Sequence, residues 1–257
     1  MRKLLTIILF TLSVMTSFQM LAEEVTKTVV SPVNRVALLE LYTSEGCSSC
    51  PPADRFLSNL KESEISDKRL IAMAFHVTYW DYIGWKDRFA KKQYDQRQRQ
   101  LAHKKRKNTV YTPQFVLAGD DYRRHSTFNK DINKLVAEKA RVNLELSMKP
   151  NGDLLNLKLK SDITESTVKE VGFYFAVVEN NLSSNVDDGE NEGEKLHHDY
   201  VVRLLAGPYF QSKPENQLVT EYTVSLGSDW KKQDLSIIAF AENPHTGDVL
   251  QAVRIKY

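Results

Sequence analysis

The sequence predicts an α/β domain over residues 33–141 followed by an all-β sandwich over residues 142–257. Three observations carry that reading. Up to about residue 141, short apolar runs alternate with amphipathic helical stretches, the pattern of βα units. Beyond it, apolar residues fall at every second position, the period of half-buried strands. The charge divides at the same place. Residues 23–140 hold 21 basic and 15 acidic side chains, net +6, and residues 141–257 hold 12 and 18, net −6. Chance accounts for such an imbalance, or else the halves dock through complementary fields.

Taken in order, Arg2 and Lys3 precede a charge-free run from Leu4 to Met15, then a more polar stretch ending Leu21-Ala22-Glu23. This is the layout of a signal peptide over 1–22, cleaved after Ala22. The run is short of the roughly 20 residues a bilayer span requires, and no later segment reads as a membrane helix. Val36 to Leu41 is a buried strand, and Tyr42 to Cys50 a loop of small residues. Phe56, Leu57 and Leu60 recur at helical spacing. Leu70 to Val77 is a second buried strand, residues 86–107 a charged helix, and Gln114 to Ala118 a third strand. Phe128, Ile132, Leu135 and Val136 mark one face of a helix. In the second half, Leu144, Leu146 and Met148 alternate with polar residues, as do Leu155, Leu157 and Leu159 beyond the hairpin signal Asn151-Gly152. Strands are expected at Val171–Val178, Tyr200–Leu205, Leu218–Leu226, Leu235–Ala241 and Val249–Ile255. Seven short strands without a long helix indicate a sandwich. Residues 180–195 form an acidic loop.

Composition narrows the function classes. Apolar residues make up 42%, too many for a disordered chain, and a formal charge of +2 excludes a polybasic or polyacidic protein. Two cysteines rule out a disulfide scaffold or a multi-cysteine zinc protein. Those two, Cys47-Ser48-Ser49-Cys50, follow a strand and open a helix. Three-residue spacing brings both sulfurs to one face, where the helix dipole and free N–H groups favour a thiolate. Cys47 is expected to be the exposed nucleophile and Cys50 the shielded resolving thiol. Pro51-Pro52 suits a first helical turn. A structural disulfide remains open as an alternative. A zinc site does too, although His76, His103 and His125 form no recognised ligand set, and no metal or other cofactor is expected.

Val110-Tyr111-Thr112-Pro113 leads directly into the third strand. Strand, CxxC, helix, strand, then Thr-Pro before a strand resembles the thioredoxin-like superfamily. That resemblance implies a cis Thr112-Pro113 lying against the disulfide and contacting a substrate chain. More narrowly, LLELYTSEGCSSCPPAD, AFHVTYWDYIGWKDRFA, VYTPQFVLAG and GENEGEKLHHDYVVR resemble the successive signatures of the DUF1223 family. The resemblance implies a secreted bacterial protein, in the periplasm, with a thioredoxin-like domain and a β-rich C-terminal domain. Ser48-Ser49 departs from the dipeptides of ordinary thioredoxins and leaves the redox potential open. The segment Trp80 to Lys107 is an insertion relative to a minimal thioredoxin, suited to covering the site.

Other residues carry two readings each. His76 is a proton shuttle or a hydrogen-bonded core residue, the second being favoured. Tyr79 and Trp80 shape a substrate groove or pack under the insertion. The ten basic residues of 86–107 are a solvated helix face or one docked on an acidic neighbour; nucleic acid is not expected. His197 and His198 point to opposite faces of a strand, so they do not share a metal, while one can reach the first half. The expected function is thiol–disulfide exchange with polypeptide substrates or a redox partner protein. Cys47 and Cys50 exchange, Thr112 and Pro113 position the partner, and His76 and Trp80 flank it. The alternative is a non-catalytic envelope binding or assembly module with a structural disulfide.

Overall fold

The computed structural model describes residues 25–62, 68–212 and 217–257. The expected signal peptide at 1–22 lies outside them. The described elements, in chain order, are β1 (Lys27–Val30), β2 (Ala37–Thr43), α1 (Pro51–Asn59), β3 (Leu70–His76), α2 (Lys92–Lys104), β4 (Gln114–Leu117), β5 (Asp120–Tyr122), α3 (Phe128–Ala137), β6 (Val142–Asn151), β7 (Leu154–Ile163), β8 (Glu170–Glu179), β9 (Leu182–Asn185), β10 (Lys195–His198), β11 (Val201–Ser212), β12 (Gln217–Ser225), β13 (Leu235–Glu242) and β14 (Val249–Lys256). Every strand and helix the sequence indicated is present, but α2 begins six residues later than expected, β11 runs seven residues further, β1 and β5 were not expected, and β9 falls inside the expected acidic loop 180–195.

Their assembly is not the one expected. An α/β thioredoxin-like domain beside a separate sandwich is overturned by one eight-stranded sheet ordered β14-β13-β8-β11-β3-β2-β4-β5. Four of its strands come from each side of residue 141. Strand accounts for 46% of the described residues and helix for 19%, so the described molecule is mainly β. The junction is β3. It pairs in parallel with β2 from Ala37↔Leu70 to Thr43↔His76. On its other side it pairs in parallel with β11 at Val201↔Ala74, where the Ala74 N–H donates to the Tyr200 carbonyl at 2.8 Å. All seven residues of β3 are buried. A separate first domain would leave that apolar strand as an open edge, a template for aggregation; β11 covers it. The exchange is mutual, because β1, from the start of the chain, pairs with β6 in the second half, with Val29 opposite Leu146.

A second sheet, β1-β6-β7-β12, packs on one face of the β8-β11-β13-β14 region. Leu144, Leu146, Leu157 and Leu159 meet Phe173, Phe175, Ile237 and Ala239 there. On the same face of the other half, α1 and α3 cover β2–β5, through Ala53, Leu57, Phe128 and Ile132. The opposite face is one continuous layer under α2. Tyr94 and Leu101 of α2 pack on Leu38, Tyr42, Ile71 and Phe75 from one half and on Tyr174, Ala176, Ile238 and Phe240 from the other.

Helix α2 also resolves the basic stretch: it is docked on acidic neighbours. Arg97 is buried and holds Glu40 of β2 through two bonds of 2.8 and 2.7 Å, and Glu242 of β13 at 3.1 Å. Tyr42 donates to the same Glu40 at 2.8 Å. The guanidinium lies over the rings of Tyr174 and Phe240, 5.1 Å from each centroid. Lys104 adds a 2.6 Å contact to Glu242, and Lys105 reaches Asp248 at 2.5 Å. The halves also touch backbone to backbone at two loops. The Val249 N–H donates to the Ala118 carbonyl at 3.1 Å, and a Cβ on Gly119 would lie 2.1 Å from the Gly247 carbonyl oxygen. Among the described residues no helix is long and apolar enough to cross a membrane.

Candidate functional site

The parallel pair β2–β3 ends at Thr43 and His76, and ligand sites in such sheets gather at the carboxyl ends of the strands. The loop that leaves β2 carries Cys47 and Cys50, which are joined by a disulfide with Cα atoms 5.4 Å apart. Cys50 takes helical dihedrals as the N-cap of α1, and Pro51-Pro52 occupy the first turn. Both prolines lack an N–H, and the next two donors, Ala53 and Asp54, bond the Cys50 carbonyl at 2.9 and 3.1 Å. The first turn therefore offers the sulfurs fewer free N–H groups than its position suggests; the dipole remains.

Cys47 is not the exposed residue expected. Both cysteines are 0% exposed, while Ser48 and Ser49 between them are exposed. The cover is the 186–194 connection between β9 and β10, here termed the strap. Asn191 is buried in it and donates to the carbonyls of Glu45 at 2.7 Å and Cys47 at 3.1 Å. Glu190 accepts from the Ser48 N–H at 3.0 Å and the Ser48 hydroxyl at 2.7 Å, and these bonds hold its carboxyl below the usual range. The strap also closes on the 81–85 segment. A Cβ on Gly84, at φ +107°, would sit 2.7 Å from the Asp188 carboxyl carbon.

Next to the cysteine loop, where β2 and β3 end, lies a buried set of ionisable groups. His76 Nδ1 meets Asp87 Oδ2 at 2.6 Å, both side chains being fully buried. Asp87 also accepts N–H bonds from Glu45 and Phe89, each at 2.9 Å. His198 Nε2 meets Glu45 Oε1 at 3.2 Å, and Trp85 Nε1 donates to Glu45 Oε2 at 2.8 Å. The two imidazoles stand edge to face, 4.9 Å between centroids. Thr43 donates to Asp54 at 3.1 Å, and His198 Nδ1 lies 4.0 Å from the same carboxyl. Two buried atoms, His76 Nε2 and His198 Nδ1, have no hydrogen-bond partner.

The charges follow from these contacts. Burial alone would push the His76 imidazole down, but the Asp87 charge and hydrogen bond, with Asp54 and Glu45 behind, hold it above its ordinary value. Burial would raise Asp87, yet His76 and the two N–H donors keep it low. For Asp54 burial prevails over His198 and His76, and its carboxyl is raised. Among the described residues no three such side chains are arranged to hold a metal ion.

The remaining expected residues take clear places. The Thr112–Pro113 peptide is cis, as is Gly207–Pro208, which the sequence did not signal. The β2–β4 register has Tyr42 opposite Gln114; continued one step, it sets Pro113 beside Thr43. Thr112 reaches the cysteine loop through Trp80. Trp80 Nε1 donates to Thr112 Oγ1 at 2.7 Å, and the Trp80 Cβ would lie 3.3 Å from a Cβ on Gly46. Trp80 and Tyr79 thus pack under the insertion, against the core beneath α2. His76 is the hydrogen-bonded core residue favoured from sequence. His197 is exposed and His198 buried, as opposite faces of a strand require. Glu45, Asp54, Asp87, Glu190 and Asn191 were not foreseen. The only local signal was Asp54, which falls on the buried face of α1 beside Leu57.

A family model described as a protein of unknown function (DUF1223) matches residues 38–242. The chain belongs to the DUF1223 family. The match spans the cysteine loop, the strap and α2, so the whole site lies within the matched residues. A comparison with curated proteins finds no match for this DUF1223 protein. Among solved structures it is similar to protein AGR_C_4864 from Agrobacterium tumefaciens, with 23% identity, a TM-score of 0.62, and coverage of 86% of this chain and 94% of that one. It is also similar to HBP35 of Porphyromonas gingivalis, with 15% identity, a TM-score of 0.67, and coverage of 88% and 76%. At these identities the likeness concerns the fold of the DUF1223 chain alone.

Proposed function

We propose that this protein is an exported thiol–disulfide exchange protein whose disulfide is closed under the strap until a partner polypeptide displaces it. The observation that carries this reading is the buried His76, Asp87, His198, Glu45 and Asp54 set where β2 and β3 end, next to the cysteine loop, with two imidazole nitrogens unpartnered. Buried unsatisfied polar atoms cost stability, and perturbed ionisable groups gather where chemistry is done. A structural staple needs none of them. A ring closed over three residues of separation also gives little chain-entropy stabilisation, about 2 kcal/mol.

The exchange balances without a cofactor. A partner thiolate attacks the Cys47 sulfur, the Cys47–Cys50 bond breaks, and Cys50 leaves with the electron pair. Asp54, four residues on from Cys50 and held toward its protonated form by burial, is the group this reading assigns to supply the proton. A second partner thiol then releases the partner as its disulfide and leaves two thiols on Cys47 and Cys50. Trp80 and Thr112 flank the loop, where a partner strand would lie.

The buried sulfurs favour a second reading, a structural disulfide in an envelope assembly module, and three measurements separate the two. A Cys50→Ser variant should trap mixed disulfides with exported polypeptides. Asn191→Ala, which frees the strap from Cys47, should speed reduction of the wild-type pair by dithiothreitol about tenfold or more. A reduction potential well below about −300 mV, with no trapped partner and no effect of Asn191→Ala, would leave only the structural role.

A further inference from the structure

A cavity of about 570 Å³ opens beside the disulfide, between the first turn of α1 and the strap. Its wall carries three carboxylates, Glu190, Glu192 and Glu194, beside the buried Asp54 carboxyl and against the exposed cations Arg55 and Lys195. Asp187 and Asp188 extend the same sign along the strap. His198 also lines the cavity, and its ring is 2% exposed. Its Nε2 faces the Glu45 carboxylate at 3.2 Å, so in the neutral ring the proton sits on Nε2 and Nδ1 presents a lone pair. That Nδ1 is the unpartnered atom. A wall of carboxylates with a buried acceptor at its base calls for a positively charged group bearing N–H donors.

We infer that this cavity receives the lysine or arginine side chain of the polypeptide that exchanges with Cys47–Cys50. The inference rests on the exchange reading and adds the class of substrate. Glu190 is the pivot. In the closed state its carboxylate is spent on Ser48; an incoming cation offers it a stronger partner and draws the strap off the cysteine loop. A basic residue flanking the partner's cysteine would then both bind and unlock the disulfide, and acidic partners would be repelled.

The test uses the full mature chain and synthetic cysteine peptides that differ only in flanking lysine, serine or glutamate. The lysine peptide should exchange about tenfold faster than the glutamate peptide, the scale of electrostatic steering. The difference should vanish in high salt, where the screening length falls to about 3 Å. Glu192→Gln combined with Glu194→Gln should bring the lysine peptide down to the rate of the serine peptide. The same peptides with serine in place of cysteine, followed by calorimetry, report binding without exchange. Equal exchange rates for all three peptides would overturn the inference and leave the exchange reading intact. Selective binding of the lysine analogue with no exchange by any peptide would uphold the cavity and overturn the exchange reading. Neither binding nor exchange would overturn both.

Discussion

Asp87 is the residue on which most of the site converges. It holds the His76 imidazole and the N–H groups of Glu45 and Phe89. Removing one partner of a buried pair leaves an uncompensated charge, so Asp87→Asn should lose about 3–5 kcal/mol. The sign of its pH dependence follows from the two shifts. His76 is raised in the fold, so its contribution is complete below the ordinary imidazole value, about 6.5, and is lost as pH rises through the higher folded value. Asp87 is lowered, so its contribution is complete above the ordinary carboxylate value, about 3.9, and is lost as pH falls through the lower folded one. The difference in urea stability between wild type and Asp87→Asn should therefore be largest between about pH 4 and 6.5 and should narrow in alkali. A difference that stays constant with pH would show that only the N–H bonds matter. None of this was legible beforehand, because Asp87 read as one of two acids in a basic stretch. What made it structural is a meeting with Glu45 across the chain, which no local spacing encodes.

At the scale of the element, α2 shows how a charge pattern can mislead and inform together. Its composition reads as a wet helix, yet Tyr94, Arg97, Gln98 and Leu101 are buried. They recur at three- and four-residue steps, the periodicity of a buried face, with an arginine standing where an apolar residue was expected. Arg97→Met should cost about 3–5 kcal/mol, because buried Glu40 is left with the Tyr42 hydroxyl as its remaining partner and buried Glu242 with Lys104. Adding Glu40→Gln and Glu242→Gln should restore most of it, the non-additivity expected of a shared network. Lys92→Ala on the exposed side of the same helix should change stability by no more than about 0.5 kcal/mol. Thermal unfolding of the three variants checks all three statements. The cysteine loop is the contrasting case. Its disulfide and the following helix were plain from Cys47 to Pro52, but its burial was not, since the strap that covers it lies more than a hundred residues away and reads as an acidic loop.

At the scale of the molecule, local patterns named most of the strands, though not β1, β5 or β9, and missed their neighbours. Period-two alternation in β6 and β7 reports a buried face, and the unbroken apolar run of β3 reports two; neither says that β11 completes the sheet. Because Arg97 ties β2 to β13 and β3 pairs with β11, the two halves should unfold in one cooperative transition. Trp80 and Trp85 report on the first half and Trp230 on the second. Urea curves from Trp230→Phe, and from a variant keeping only Trp230, should share one midpoint when compared at matched stability. Separate midpoints would establish two independent folding units.

The Gly119–Gly247 contact has an evolutionary corollary. Hairpin tips ordinarily accept extra residues, because they project into water. Here two tips from opposite halves press main chain against main chain, and one strand's amide is spent on the other's carbonyl. Relatives that share this architecture should keep both turns at constant length and place their insertions elsewhere.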